Sequence, residues 1–275
     1  MPSTVPPRDW TEIRWPDIAP ADAARWIAVL PLAATEQHGP HLPLGTDVMI
    51  GEAYLARVHE LLPATVPVTF LPLQPVGIST EHIDYPGTLT LPTDVALKSW
   101  MALGESVARA GVRKLVMVTS HGGNSAGMTL VAQDLRAQHG LFVVTTSWSR
   151  FGVPDGLFSA EELRHGIHGG AIETSIMLAR YPHAVRKEAI ADFRPSSIAI
   201  EFHRFPKPRC TGRFRDGVKF FLGVYGRYRR APSLLLVPAQ ATEDVVKAGN
   251  CGHGTGDPEE RTQVSHRRSF PPKAQ

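Results

Sequence analysis

Cysteine is scarce in this chain: Cys210 and Cys251 are the only two in 275 residues, too few for a disulfide framework. Long apolar runs are missing as well. No stretch approaches the roughly 18–20 residues that a membrane-spanning helix needs. Met1–Trp10 has no basic stretch followed by an apolar core, so no signal peptide is read there. These absences lead us to expect a cytoplasmic protein without a membrane partner. Charge is modest at 20% and the hydrophobic fraction is 43%, both ordinary for a globular chain. The length suffices for one large α/β domain with a full core.

The charge is unevenly placed. Residues 202–275 carry 14 Lys and Arg against 6 Asp and Glu, a balance of +8, and both cysteines. The other 201 residues balance at −5. We therefore expect a catalytic domain over residues 1–201 and a basic C-terminal segment over 202–275. A basic tail can bind nucleic acid. This one has neither interleaved aromatics nor a nucleic-acid motif, so the expected partner is a small molecule.

Strand and helix signals alternate along the body. Trp26–Leu32 and Val66–Leu71 read as buried strands, and Lys114–Thr119 and Leu141–Ser147 as two more. Helices are expected from Asp47 to Leu62 with Asp47 as N-cap, from Pro92 to Ala110 ahead of Gly111, from Ser125 to His139, and from Gly170 to Arg180. Leu73–Thr90 is a long loop punctuated by Gly and Pro, of the kind that often carries function. The alternation predicts an α/β fold, a single domain with a mostly parallel sheet covered by helices on both faces. Ligands in such sheets gather beyond the carboxyl ends of the strands.

Three motifs carry chemistry. Thr35–Asp47 packs Glu36, His38, His41 and Asp47 between a strand and a helix. Carboxylate oxygen with imidazole nitrogen is a donor set for zinc, manganese or iron. Glu36 and His38 are two apart, so an extended backbone aims both to one side. Asp47 has two oxygens with which to bridge two metals. The second motif, Ser120–Asn124, places His121 at a strand end, before Gly122 and Gly123. These glycines allow close backbone approach and expose N–H groups that can hold an oxyanion. Asn124 is suited to capping the next helix. The third motif runs from His168 to Ser175. His168 fits a general acid or base. Glu173 lies in a first helical turn, where a carboxylate is also electrostatically welcome.

With these motifs the chain resembles the creatininase family of amidohydrolases over roughly residues 10–195. The resemblance lies in Glu36–His41 with Thr46-Asp47, Glu81-His82 with Tyr85–Leu89, His121–Asn124, and His168–Gly170 with Glu173–Ser175. It implies a helix-covered parallel sheet, oligomeric assembly and a two-metal hydrolytic centre. By resemblance Glu36, His38, Asp47 and His121 are metal ligands, Asp47 bridges, and His168 shuttles protons. His82 falls near the site as a substrate contact, with Gly122 and Gly123. Trp148 reads equally as pocket wall or core.

The chain also departs from the family. Creatinine-hydrolysing members carry Tyr and Glu after the histidine matched by His121, and that Glu is a ligand. Gly122 and Gly123 stand here, and Glu173 is the candidate replacement. Those members have Trp-Asp shortly before the position of His168, where this chain has Arg164–Ile167. The His-Gly-Gly-Asn form is closer to the wider family, which includes formamide deformylases and a peptide-trimming enzyme. The expectation is a hydrolase that cleaves a short amide C–N bond with two divalent ions, with Glu173 and His168 also serving catalysis. The alternative is a metal-binding relative without activity.

Overall fold

The computed structural model describes residues 5–193 with Pro195 and Ile198. The expected boundary at residue 201 and the basic segment lie outside the described residues.

Four strands form one sheet: β1 (Ile27–Leu32), β2 (Val68–Phe70), β3 (Lys114–Thr119) and β4 (Phe142–Ser147). Their order is β2-β1-β3-β4 and every pairing is parallel. The helices are α1 (Pro20–Ala23), α2 (Thr46–Leu61), α3 (Thr93–Arg109), α4 (Ser125–His139), α5 (Ala160–His165) and α6 (Ala171–Arg180). Among the described residues, none is long and apolar enough to cross a membrane.

The period-2 alternation of the strands sorts the core into two layers. Ala28, Leu30 and Leu32 of β1 and Leu115 and Met117 of β3 face one way. They pack with Ala96, Trp100 and Val107 of α3 and Met128, Val131 and Leu135 of α4. Val29, Val68, Phe70 and Val118 face the other way, against Leu55 and Val58 of α2. A third cluster joins α2 to α6 through Ile50, Ile176 and Met177. The sheet therefore has helices on both faces.

The strand order places the site. From β1 the chain moves outward to β2, whereas β3 and β4 continue on the opposite side. The order thus reverses between β1 and β3, which pair along their full length from Ile27–Lys114 to Leu32–Thr119. At such a switch point the two following loops diverge and leave a crevice. Those loops are Ala33–Gly45 and Ser120–Asn124, the carriers of the first two motifs.

Two expected caps are corrected. The N-cap of α2 is Gly45, and Asp47 is already helical and fully buried. Its carboxylate turns to the crevice instead of capping its own helix. Asn124 precedes α4 but makes no side-chain cap. Its Oδ1 accepts from Ile78 N at 2.9 Å, and its Nδ2 donates to the Ala33 carbonyl at 3.0 Å and Thr119 Oγ1 at 3.2 Å. Asn124 thus ties three loops together beneath the site.

Candidate metal centre

Glu36 lies at the centre of the crevice and is fully buried. Its Oε2 accepts the Ser79 hydroxyl. Its Oε1 faces four imidazoles, at 3.2 Å from His121 Nδ1, 3.4 Å from His168 Nδ1, 3.8 Å from His82 Nε2 and 4.0 Å from His38 Nε2. Asp47 lies between two of these rings: Oδ1 is 3.7 Å from His38 Nε2, and Oδ2 is 3.4 Å from His121 Nδ1. Glu173 reaches in from the first turn of α6, with Oε2 3.8 Å from His38 Nε2. Glu36, His38, Asp47, His121 and Glu173 thus come together in one space, with His168 and His82 beside them.

Three rings are held the same way, by a backbone carbonyl on the nitrogen opposite the one that faces Glu36 and Asp47. His38 Nδ1 donates to the Glu36 carbonyl at 3.1 Å, and His121 Nε2 to the Ile78 carbonyl at 2.7 Å. His168 Nε2 lies 2.5 Å from the Gln37 carbonyl and 3.0 Å from the Gln37 side-chain amide nitrogen. Each contact orients its ring and leaves the other nitrogen, His38 Nε2, His121 Nδ1 and His168 Nδ1, facing the carboxylates. Gln37 orients His82 through its amide. Oε1 accepts from Gly39 N at 2.9 Å, so the NH2 group faces His82 Nδ1 at 3.1 Å.

The electrostatics are those of buried acids and bases facing one another. Burial pushes the Glu36 and Asp47 carboxyls up, but hydrogen bonding and charge from His121 outweigh it, helped by Ser79 and His38 respectively. Both end below ordinary carboxylate values. Burial depresses His38 and His121, yet the facing carboxylates raise them to about 9 and about 10. Glu173 has only one close cation, and burial lifts it to about 7. Burial and the neighbouring His38 push His168 down to about 4.

A divalent cation fits this arrangement. Glu36 Oε1, His38 Nε2 and Asp47 Oδ2 are buried and have no hydrogen-bond partner. Buried polar atoms are normally paired, and orphans aimed at a common point need an explanation. Donor atoms of His38, Asp47 and Glu173 lie within 4.8 Å of one another, as do those of Glu36, His38 and His168, and of Glu36, Glu81 and His121.

The remaining expected residues lie around the edge. Nothing would contact a Cβ on Gly122, whereas one on Gly123 would collide with His121 Nε2 and the Ile78 carbonyl. Gly169, at φ +61°, lies against the His38 backbone. Trp148 stacks on Tyr54 at 5.0 Å and packs on the Val29–Phe70 layer, outside the cluster. Sequence reasoning did not name Ser79, and it gave Gln37 and Glu81 no role of their own within the family motifs that contain them. The polar run Ser79–His82 in the long loop was the available signal.

A carboxylate–imidazole nest of this kind, at the switch point of a parallel sheet, is the site of a hydrolase. Comparison with known proteins agrees. The family described as Creatininase, creatinine amidohydrolase, matches residues 11–262. The mycofactocin precursor peptide peptidase of Mycobacterium tuberculosis is 31% identical over 248 residues, 88% of this chain and 79% of that protein. The creatinine amidohydrolase of Pseudomonas putida is 30% identical over 204 residues, 68% of this chain and 77% of the relative. A solved creatininase superposes with a TM-score of 0.59 at 30% identity, covering 69% of this chain and 78% of its own. The chain belongs to the creatininase family and is a hydrolase acting on carbon–nitrogen bonds.

Proposed function

We propose that this chain hydrolyses a short amide, the terminal amide of a peptide or a formamide, at a centre of two divalent ions. The observation that carries the reading is the set of three buried, partnerless atoms, Glu36 Oε1, His38 Nε2 and Asp47 Oδ2. Asp47 presents one oxygen to each of two groups. His38 and Glu173 would hold one ion with Asp47, and Glu36 and His121 the other. When bound, such ions supply an acidified water and an electrophile for the carbonyl oxygen. Solved creatininases 27% identical to this chain, each with a TM-score of 0.58, include a manganese form and a zinc–zinc form.

The chain's own residues supply the proton traffic. Gln37 holds His168 Nε2 through its carbonyl and its side-chain amide, and Nδ1, which faces the site, is the atom placed to take a proton and return it. In the overall reaction water adds its oxygen to the carbonyl carbon and the C–N bond breaks. The proton held on His168 Nδ1 passes to the leaving nitrogen. The open space at Gly122 and the greater coverage by a peptide peptidase favour an acyclic amide over creatinine.

Metal analysis of the purified full chain, with hydrolysis assays on peptides, formamides and creatinine, tests the reading. Chelation should abolish turnover, and re-addition of zinc, manganese or iron should restore it. Turnover that survives complete metal removal would overturn it. Light scattering reads the expected homo-oligomer.

A further inference from the structure

The metal site accounts for His168 and Glu173 but leaves one half-buried carboxylate behind them, that of Glu162, unused. Glu162 of α5 sends its side chain toward the start of α6. Its Oε1 accepts from Ile172 N at 3.1 Å, beneath the turn that joins His168 to Glu173. The N-cap of α6 is Gly170, which has no side chain to offer. The first N–H groups of a helix need acceptors, and here one arrives from a neighbouring helix. Glu162 is itself held, because its own N–H donates to Ser159 Oγ at 3.1 Å, the cap of α5.

Packing at this contact leaves no room for a Cβ while the Glu162 carboxylate stays in place. A Cβ on Gly166 would overlap the Glu162 carboxylate, and one on Gly170 would fall within 2.5 Å of its Oε1. A side chain at either glycine would displace that carboxylate from the Ile172 amide. From the opposite side the same turn is closed by Glu173, whose Oε2 accepts from Gly169 N at 2.6 Å. The segment that presents His168 and Glu173 is thus gripped from within by Glu173 and from behind by Glu162. Burial raises the Glu162 carboxyl, and the amides of Ile172 and Ala171 pull it back down.

We infer that Glu162 is a positioning residue that supplies the missing cap of α6 and thereby sets Glu173 and His168 in place. It touches neither substrate nor ion, and its effect on metal binding follows from the reading proposed above. Groups that orient metal ligands typically change metal affinity by about 10–100-fold when removed.

The test compares Glu162→Ala and Glu162→Gln in the full chain. Amide hydrogen exchange reads the cap without any metal. In Glu162→Ala, exchange at Ile172 and Gly169 should rise well above wild type while the β3 amides stay protected. Glu162→Gln keeps an acceptor oxygen and should restore protection. Zinc titration of the chelator-treated protein reads the consequence. The step involving Glu173 should weaken about 10–100-fold in Glu162→Ala and less than about threefold in Glu162→Gln. Unchanged exchange at Ile172 and Gly169 in Glu162→Ala overturns the inference, as does equal weakening in both variants. Should wild type take up no zinc, the proposed function falls, and the exchange data still decide the role of Glu162.

Discussion

Ser79 gives its hydroxyl proton to Oε2 of Glu36, and Oε1 of that carboxylate is left without a partner. One oxygen is thereby tethered and the other aimed among four imidazoles. Ser79→Ala should free the carboxylate to rotate and remove a bond that favours its charged form. We expect zinc affinity to fall about 10–100-fold and stability to fall by about 1–3 kcal/mol, the cost of an unsatisfied buried acceptor. Chelator competition and urea unfolding measure the two effects. Affinity within twofold of wild type would show that Ser79 is not orienting Glu36.

Proton release on metal binding follows from the electrostatics. In the metal-free chain the facing carboxylates raise His38 to about 9 and His121 to about 10, against 6.5 for free imidazole. At pH 8 both rings therefore carry a proton that a cation must displace. Calorimetry in buffers of different ionisation heat should report about two protons released per chain at pH 8, with fewer above pH 10. Glu173, lifted to about 7, should add a fraction of a proton as the pH falls toward 7. Stability of the metal-free form carries the matching sign. The raised imidazoles contribute fully below pH 6.5 and lose that contribution as the pH climbs through 9–10. Its Tm should thus decline from pH 7 to pH 10 more steeply than that of the loaded form. Binding without proton release would mean that the rings are already neutral.

Much of this architecture was legible in the sequence, because local pattern and tertiary demand coincide there. Lys114–Thr119 is the observed β3, residue for residue, since a β-branched apolar run suits a buried parallel strand. The limits of the four expected helices differ from expectation by at most one residue. Asp47 reads as an N-cap by its local chemistry, yet the crevice recruits its carboxylate and Gly45 takes the cap position. Asn124 is misread for a similar reason: its amide has better partners in Ile78 and Ala33 than in its own helix. Ser79, Gln37 and Glu162 escape notice because nothing periodic marks them. Their partners lie 43 residues away for Ser79, and 45 and 10 for the other two.

His168 can act either on protons or on metal, and one substitution separates the two. Its Nδ1 is 3.4 Å from Glu36 Oε1, and it shares a possible ligand group with Glu36 and His38. Gln37 holds its Nε2 and leaves Nδ1 toward the site, which suits a group that exchanges a proton at Nδ1. His168→Ala should therefore leave zinc content near normal and lower turnover by ~10²–10⁴-fold. Parallel loss of metal and turnover would make it a ligand. Metal analysis of the variant alongside single-turnover rates decides between these outcomes.

Asn124 offers the last test, because it lies one step behind the site and is fully buried. It holds Ile78 by the N–H, and the carbonyl of that residue in turn holds His121 Nε2 at 2.7 Å. Asn124→Ala would leave the Ile78 N–H and the Ala33 carbonyl short of a partner, at about 1–3 kcal/mol for each group. The loop carrying Ile78 should then relax, and His121 should lose the fixed carbonyl that aims Nδ1 at Glu36 and Asp47. Lower stability and weaker zinc binding are both expected. Asn124→Asp discriminates between them. It keeps an acceptor for the Ile78 N–H but loses the donor to Ala33, so zinc binding should recover more than stability does. If both variants bind zinc like wild type, Ile78 is placed by the packing of its own loop and Asn124 serves stability alone.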